Sequence, residues 1–177
     1  MNYADIKQYD VANGPGVRVS VFVSGCRHAC PGCFNKEAWD FNYGKPFTEE
    51  TMKYIVNLLD FEPYKGITYL GGEPFEKENQ HGLLELSKKI RAKHPDKSIW
   101  CFTGYEFEKD ILNRMCSGDD WPDAKELLSY IDVLVDGRFI ESLKDLNLRF
   151  RGSSNQRIID VKESLKQGKT ILWEESN

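Results

Sequence analysis

An α/β fold with a central parallel sheet is predicted by three observations. Segments of strand character alternate along the chain with segments of helical periodicity. Each strand segment runs into a cluster of glycine, cysteine or polar turn residues. No repeat, low-complexity tract or long linker interrupts the 177 residues, a length that fits one domain with a substantial core.

The first strand signal is Val17-Arg18-Val19-Ser20-Val21-Phe22-Val23, with valine at every second position, after the turn cluster Asn13-Gly14-Pro15-Gly16. Thr48 reads as a helix N-cap. Glu49 and Glu50 follow it, where the helix dipole favours acids, and Met52, Ile55, Val56 and Leu59 form an apolar stripe. Residues 67–70 form a short strand ending in Gly71-Gly72-Glu73-Pro74. A helix over residues 80–93 then buries Leu83, Leu86 and Ile90. The strand Ile99-Trp100-Cys101-Phe102 ends in Thr103-Gly104-Tyr105, and helical segments follow at residues 107–115 and 124–128. The last strand, residues 131–135, ends at Asp136-Gly137. Such alternation implies right-handed βαβ units, whose ligands gather beyond the carboxyl ends of the strands. The cysteine-rich loop after Val23 and the three later strand ends are therefore expected on one rim.

With 40% hydrophobic and 29% charged residues, the composition is that of a soluble globular protein. A net charge of −4 supplies no global field for nucleic acid, and no apolar run approaches the ~20 residues of a membrane span. The start, Met1-Asn2-Tyr3-Ala4-Asp5-Ile6-Lys7, lacks the apolar stretch of a secretory signal, so a cytoplasmic protein is expected. Five cysteines, three of them within eight positions, make a poor disulfide framework and point to metal or redox chemistry.

Cys26-Arg27-His28-Ala29-Cys30-Pro31-Gly32-Cys33 has the spacing CxxxCxxC. Three thiolates on one loop can wrap three corners of an iron–sulfur cubane. Clusters that only transfer electrons usually have four cysteine ligands, so three leave one iron open to a small molecule. Structural zinc, with His28 or a distant residue as fourth ligand, is the competing occupant. His28 itself is read as a loop residue donating a hydrogen bond near the cluster. Gly71-Gly72-Glu73-Pro74 favours the open iron, because paired glycines let the backbone approach a ligand and their carbonyls accept from an ammonium group. A tight turn is the plainer reading of that segment taken alone. Cys101 and Cys116 are read as structural.

At this point the sequence resembles the radical S-adenosylmethionine superfamily, and within it the activating proteins of anaerobic (class III) ribonucleoside-triphosphate reductases. The matching segments include Asn13-Gly14-Pro15-Gly16-Val17-Arg18, Phe22-Val23-Ser24-Gly25-Cys26 and Cys30-Pro31-Gly32-Cys33-Phe34-Asn35. Gly71-Gly72-Glu73-Pro74, Thr103-Gly104-Tyr105, Val133-Leu134-Val135-Asp136-Gly137 and Arg151-Gly152-Ser153-Ser154-Asn155-Gln156-Arg157 continue the series in family order. One departure from the wider superfamily is Gly32, where many members place an aromatic residue before the third cysteine. Phe34 follows the triplet instead, as is usual in the activating-protein branch.

The resemblance implies an incomplete parallel β/α barrel, open on one side to a glycine-bearing loop of a large partner. It implies a [4Fe–4S] cluster on Cys26, Cys30 and Cys33, reduced by an external one-electron donor such as a flavodoxin. The cluster would cleave S-adenosylmethionine to methionine and a 5′-deoxyadenosyl radical, which makes a glycyl radical on the large subunit of the reductase. Gly71, Gly72 and Glu73 would hold the methionine amino end, and Gly32 and Phe34 would lie along the adenine. Thr103 and Asp136 are candidates for ribose or carboxylate contacts, with local turn bonding as their plainer role. Arg18 and Arg151 are read as solvated surface, their other use being the partner or the substrate carboxylate. Residues 1–160 would form the radical domain, and residues 161–177 an extension without a recognised motif. The alternatives are activation of another glycyl-radical enzyme, such as pyruvate formate-lyase, and a small zinc-binding interaction module.

Overall fold

The computed structural model describes residues 1–117 and 121–174. The chain begins with β1 (Asn2–Asp10) and β2 (Val17–Val23). A loop with a 3₁₀ turn at Lys36–Trp39 leads to the two-residue β3 (Lys45–Pro46) and to α1 (Glu49–Leu58). Next come β4 (Tyr64–Gly71), α2 (Lys77–Lys93) and β5 (Ser98–Phe102). A π-helical turn at Phe107–Leu112 runs into α3 (Asn113–Ser117), and α4 (Ala124–Tyr130) precedes β6 (Val133–Asp136). An irregular stretch then leads to β7 (Arg157–Asp160) and α5 (Val161–Gln167).

One sheet of seven strands runs in the order β3-β1-β2-β4-β5-β6-β7. Its centre, β2-β4-β5-β6, is parallel, as the alternation of strand and helix requires. Its flanks are antiparallel: β1 on β2, β3 on β1, and β7 on β6. The result is a mixed α/β fold with a mostly parallel sheet. The antiparallel flanks were not expected. β1 (NYADIKQYD) is largely polar and half exposed, so it lacks the apolar alternation that marks β2.

The two faces of the sheet do different work. Val19, Val21 and Val23 of β2, Ile67 and Tyr69 of β4, Ile99 and Cys101 of β5 and Leu134 of β6 bury one face under the helices. Ile55 of α1, Leu83, Leu86 and Ile90 of α2, and Leu127 and Leu128 of α4 meet them there. Each fully buried Leu, Ile or Val contributes roughly 1.5–3 kcal/mol. Thr48 caps α1, accepting from the Thr51 N–H at 3.3 Å. The opposite face carries a smaller cluster of Trp100, Val133 and Val135, covered by Phe150 and Trp173. Leu172 bridges back to Ile159, so the chain beyond β7 packs on the sheet.

Arg18 lies on that second face, and the expectation of solvated surface fails there. It is fully buried, over the Trp100 ring. Its guanidinium donates to Thr68 Oγ1 at 2.8 Å, the Ile67 carbonyl at 2.7 Å, the Ser98 carbonyl at 2.9 Å and Ser98 Oγ at 3.0 Å. These bonds tie the amino ends of β2, β4 and β5 together, and burial lowers its pKa to about 10. Alternation predicts which face a strand residue takes, but not that the face is covered.

A second polar knot holds the far flank. Arg157 pairs with both Asp136 and Glu108, and Thr170 Oγ1 donates to Glu108. Asp136 also accepts from the Phe107 N–H at 2.8 Å. The Arg157 hydrogen bonds, more than Thr170, hold the Glu108 carboxyl down at about 2.

Arg18→Met should destabilise the protein by about 3 kcal/mol in chemical denaturation, because it strips several buried carbonyl and hydroxyl partners. Glu108 has a folded pKa below its unfolded value near 4.3, so its contribution is present above that pH and is lost as pH falls towards 2. The Tm difference between wild type and Glu108→Gln should thus be greatest above pH 5 and vanish in acid. Because this side chain is partly solvent-screened, the corresponding loss of unfolding free energy should not exceed about 1 kcal/mol.

Candidate functional site

At the carboxyl ends of the parallel strands, β2 leads through Ser24-Gly25 into the cysteine loop and β4 into Gly71-Gly72-Glu73. β5 leads into Thr103-Gly104, and β6 into Gly137. Cys26, Cys30, Cys33, Gly71, Gly72, Glu73 and Thr103 line one cavity of about 350 Å³. Phe139, Phe150, Arg151 and Gln156, from the stretch after β6, also line it.

Backbone conformation brings the three sulfurs to one cavity. Gly25, Ala29 and Gly32 take left-handed angles, φ 96°, 50° and 72°, and the Cys33 N–H donates to the Cys30 carbonyl at 3.2 Å. For alanine this conformation costs roughly 1–2 kcal/mol. A Cβ on Gly25 would lie 2.2 Å from the Phe41 ring. Among the described residues, no three His, Cys, Asp or Glu side chains are gathered as a cage for a single metal ion. The loop presents three free thiols to the cavity. Burial, followed by the nearby carboxylates of Glu73 and Glu76, pushes the Cys26 thiol up to about 12, and burial raises Cys30 too. Thiols so placed give up their protons to a cationic centre rather than to water, and soft sulfur donors suit an iron–sulfur cluster.

The glycine loop is laced to the cysteine loop. Gly72 N–H donates to the Val23 carbonyl at 2.7 Å, and Glu73 N–H to the Gly25 carbonyl at 2.8 Å. A Cβ on Gly72 would lie 2.5 Å from the Gly25 oxygen and 2.9 Å from that of Ala38. On Gly71, at φ 110°, it would lie 2.7 Å from the Val23 oxygen. Close approach between the two loops therefore demands both glycines. Asn79 of α2 braces the junction, donating to the Ser24 and Glu73 carbonyls at 3.0 and 2.9 Å.

Glu73 is 1% exposed, and its carboxylate accepts three hydrogen bonds and meets a fourth polar partner. Oε1 takes the Phe75 N–H at 2.9 Å and Thr103 Oγ1 at 2.8 Å. Oε2 takes the Gly104 N–H at 2.7 Å and faces His28 Nε2 at 2.9 Å.

The other expected residues divide. Phe34 is 92% exposed yet borders the cavity, while Gly32 lies outside the lining, where a Cβ would meet the Glu141 carboxylate at 2.6–2.9 Å. Thr103 lines the cavity with its hydroxyl committed to Glu73. Asp136 is buried outside the lining, and its carboxylate serves Phe107 and Arg157. Cys101 is buried in the core, where burial raises its thiol well above the usual range. The Cys116 side chain lies outside the described residues.

Two features went beyond the residue-by-residue reading. His28, expected as a loop residue with a hydrogen bond near the cluster, faces Glu73 as its partner, which its place between two cysteines did not name. Arg151 is the second correction to a surface expectation: it lines the cavity, its Nη1 donates to the Gln156 carbonyl at 2.8 Å, and its Nε is buried without a partner among the described residues. The Gln156 side chain shapes that turn, accepting from Gly152 N–H and donating to the Gly137 carbonyl.

The family described as a 4Fe-4S single cluster domain matches residues 12–159. An anaerobic ribonucleoside-triphosphate reductase-activating protein of Escherichia coli K12 is 42% identical over 158 residues, 88% of this chain and 96% of the relative. Proteins of the same name from Vibrio cholerae and from Enterobacteria phage T4 are 41% and 39% identical, over 89% of this chain and 97% and 93% of their own lengths. These matches agree with the iron–sulfur reading of the triplet and not with the zinc module. The chain belongs to the family of anaerobic ribonucleoside-triphosphate reductase-activating proteins and carries its 4Fe-4S domain.

Proposed function

We propose that this chain holds a [4Fe–4S] cluster on Cys26, Cys30 and Cys33, binds S-adenosylmethionine beside it, and installs a glycyl radical on an anaerobic ribonucleoside-triphosphate reductase. The observation that carries this reading is that three free thiols and the Gly71-Gly72-Glu73 loop share one cavity at the carboxyl ends of four parallel strands. Held by Cys26, Cys30 and Cys33, such a cluster would supply the one-electron reduction that splits the sulfonium of S-adenosylmethionine from its 5′ carbon, so that a hydrogen atom could be taken from a glycine of the partner.

The protein's own part is placement. Three cysteines leave one iron for the amine and carboxylate of the substrate. The backbone carbonyls of Gly71 and Gly72 are suited to accept from the amino group. The Glu73 side chain is not, since the protein already fills its four acceptor positions. Thr103 and Asp136 act at one remove, Thr103 by fixing Glu73 and Asp136 by fixing the π-helical turn. Phe34 and the Gly32 backbone are assigned to the adenine.

The sheet ends in two unjoined strands, β3 and β7, as an incomplete barrel would, and the open side suits a glycine-bearing loop of a large partner. Residues 1–160 are assigned to the chemistry, with a flavodoxin-like donor in a reducing cytoplasm. Among the described residues no helix is long and apolar enough to cross a membrane.

Anaerobic reconstitution should give a brown protein with about four irons per chain, absorbing near ~400 nm. A colourless protein with one tightly held zinc would sink the reading. Cys30→Ala should lower reductive cleavage of S-adenosylmethionine by more than about 100-fold, measured as 5′-deoxyadenosine formed. Gly72→Ala should do the same by forcing the two loops apart. Mixing with the reductase should give a glycyl-radical signal by electron paramagnetic resonance. A signal on a different glycyl-radical enzyme alone would reassign the partner.

A further inference from the structure

Two loops must keep a fixed separation for the proposed chemistry: the one with the three cysteines and the one with Gly71 and Gly72. A substrate whose amino group meets both an iron and the glycine loop binds only when they are correctly spaced. We propose that His28 sets this spacing, as a positioning residue whose imidazole donates a hydrogen bond from the cysteine loop to the Glu73 carboxylate. The inference rests on the function proposed above.

His28 stands two residues from Cys26 and two from Cys30. Its side chain is 5% exposed, with Nε2 2.9 Å from Glu73 Oε2. Phe75 N–H, Thr103 Oγ1 and Gly104 N–H already donate to that carboxylate, so Nε2 carries the proton in this bond. One residue of the loop between two cysteines therefore reaches the glycine loop through its side chain.

The fold makes room for this ring. It lies edge-on to Tyr105, centroids 4.4 Å apart, and Tyr105 packs in turn on Trp121. A Cβ on Gly104 would come within 2.5 Å of the imidazole, so only glycine there leaves the ring its place. Packing alone would be served by any ring or branched side chain of similar size. The buried carboxylate aimed at Nε2 is what specifies a donor.

His28→Leu keeps bulk and removes the donor, whereas His28→Gln can present an amide N–H close to the place of Nε2. Both are reconstituted anaerobically beside wild type. Iron per chain is measured, together with the spectrum of the reduced cluster as S-adenosylmethionine is added, and KM and kcat for its cleavage. The Leu variant should load iron and show the wild-type spectrum without substrate. It should need about tenfold more S-adenosylmethionine to shift that spectrum, as expected for one charge-assisted hydrogen bond, with KM raised more than kcat is lowered. The Gln variant should return to within about threefold of wild type.

A Leu variant that shifts at the wild-type concentration overturns the proposal, and so does an equal loss in both variants. If the Leu variant fails to load iron, uptake restored by Gln supports the hydrogen bond and uptake lost in both overturns it. A wild-type protein that binds no cluster, or whose spectrum ignores S-adenosylmethionine, would fault the proposed function instead.

Discussion

A carboxylate taken almost wholly out of water must have its lone pairs met by the protein, and Glu73 meets this demand by joining three strand ends. Its backbone N–H is bound to Gly25 at the start of the cysteine loop, and its side chain to Thr103 and Gly104 at the end of β5. The fourth bond, to His28, reaches into the cysteine loop. Charge-assisted bonds of this kind are worth about 1.5–3 kcal/mol each, and leaving one unmade costs as much again in uncompensated burial. The relative positions of the site's loops therefore follow from the need to satisfy one buried charge.

The sheet beneath explains why this charge can be held there. Valine and isoleucine on one face pack under the helices and set the strand ends level. The other face runs from Arg18, at the amino ends, through the Trp100 cluster to the cavity at the carboxyl ends. Two charged groups thus stand at opposite ends of the sheet, both far from bulk water. Arg18 is met by carbonyls and hydroxyls at the amino ends, and Glu73 by N–H and O–H donors at the carboxyl ends.

The centre of this fold was legible in the sequence because both its periodicities are strong. The alternating valines of β2 and the capped stripe of α1 lie where their patterns put them. β1 was missed because it is largely polar and pairs on its outer side only through Asn2 and Tyr3, so it needs little apolar content, and the edge strand Arg157-Ile158-Ile159-Asp160 is too short to carry a period. In the site, the cysteines and glycines were legible because spacing and residue type are local. What Glu73, His28, Arg18 and Asp136 do was not, because each depends on partners 20 to 80 residues distant that only the folded sheet brings near. Thr103 and Asp136 illustrate the difference: both sit at strand ends as expected, yet one bonds Glu73 and the other Arg157.

Stability and chemistry are therefore held by separate groups. Arg18 and the Arg157 pairings lie outside the cavity wall and fasten strands to one another. The cysteine loop has a left-handed alanine and, at Cys26 and Cys30, thiols whose burial raises their pKa, and it contributes little apolar surface to the core. Such a loop gains order from what it binds and from Glu73 more than from packing. A change at Arg18 should unfold the chain before it alters the site. A change at His28 or Gly72 should alter the site while β2, β4 and β5 stay paired.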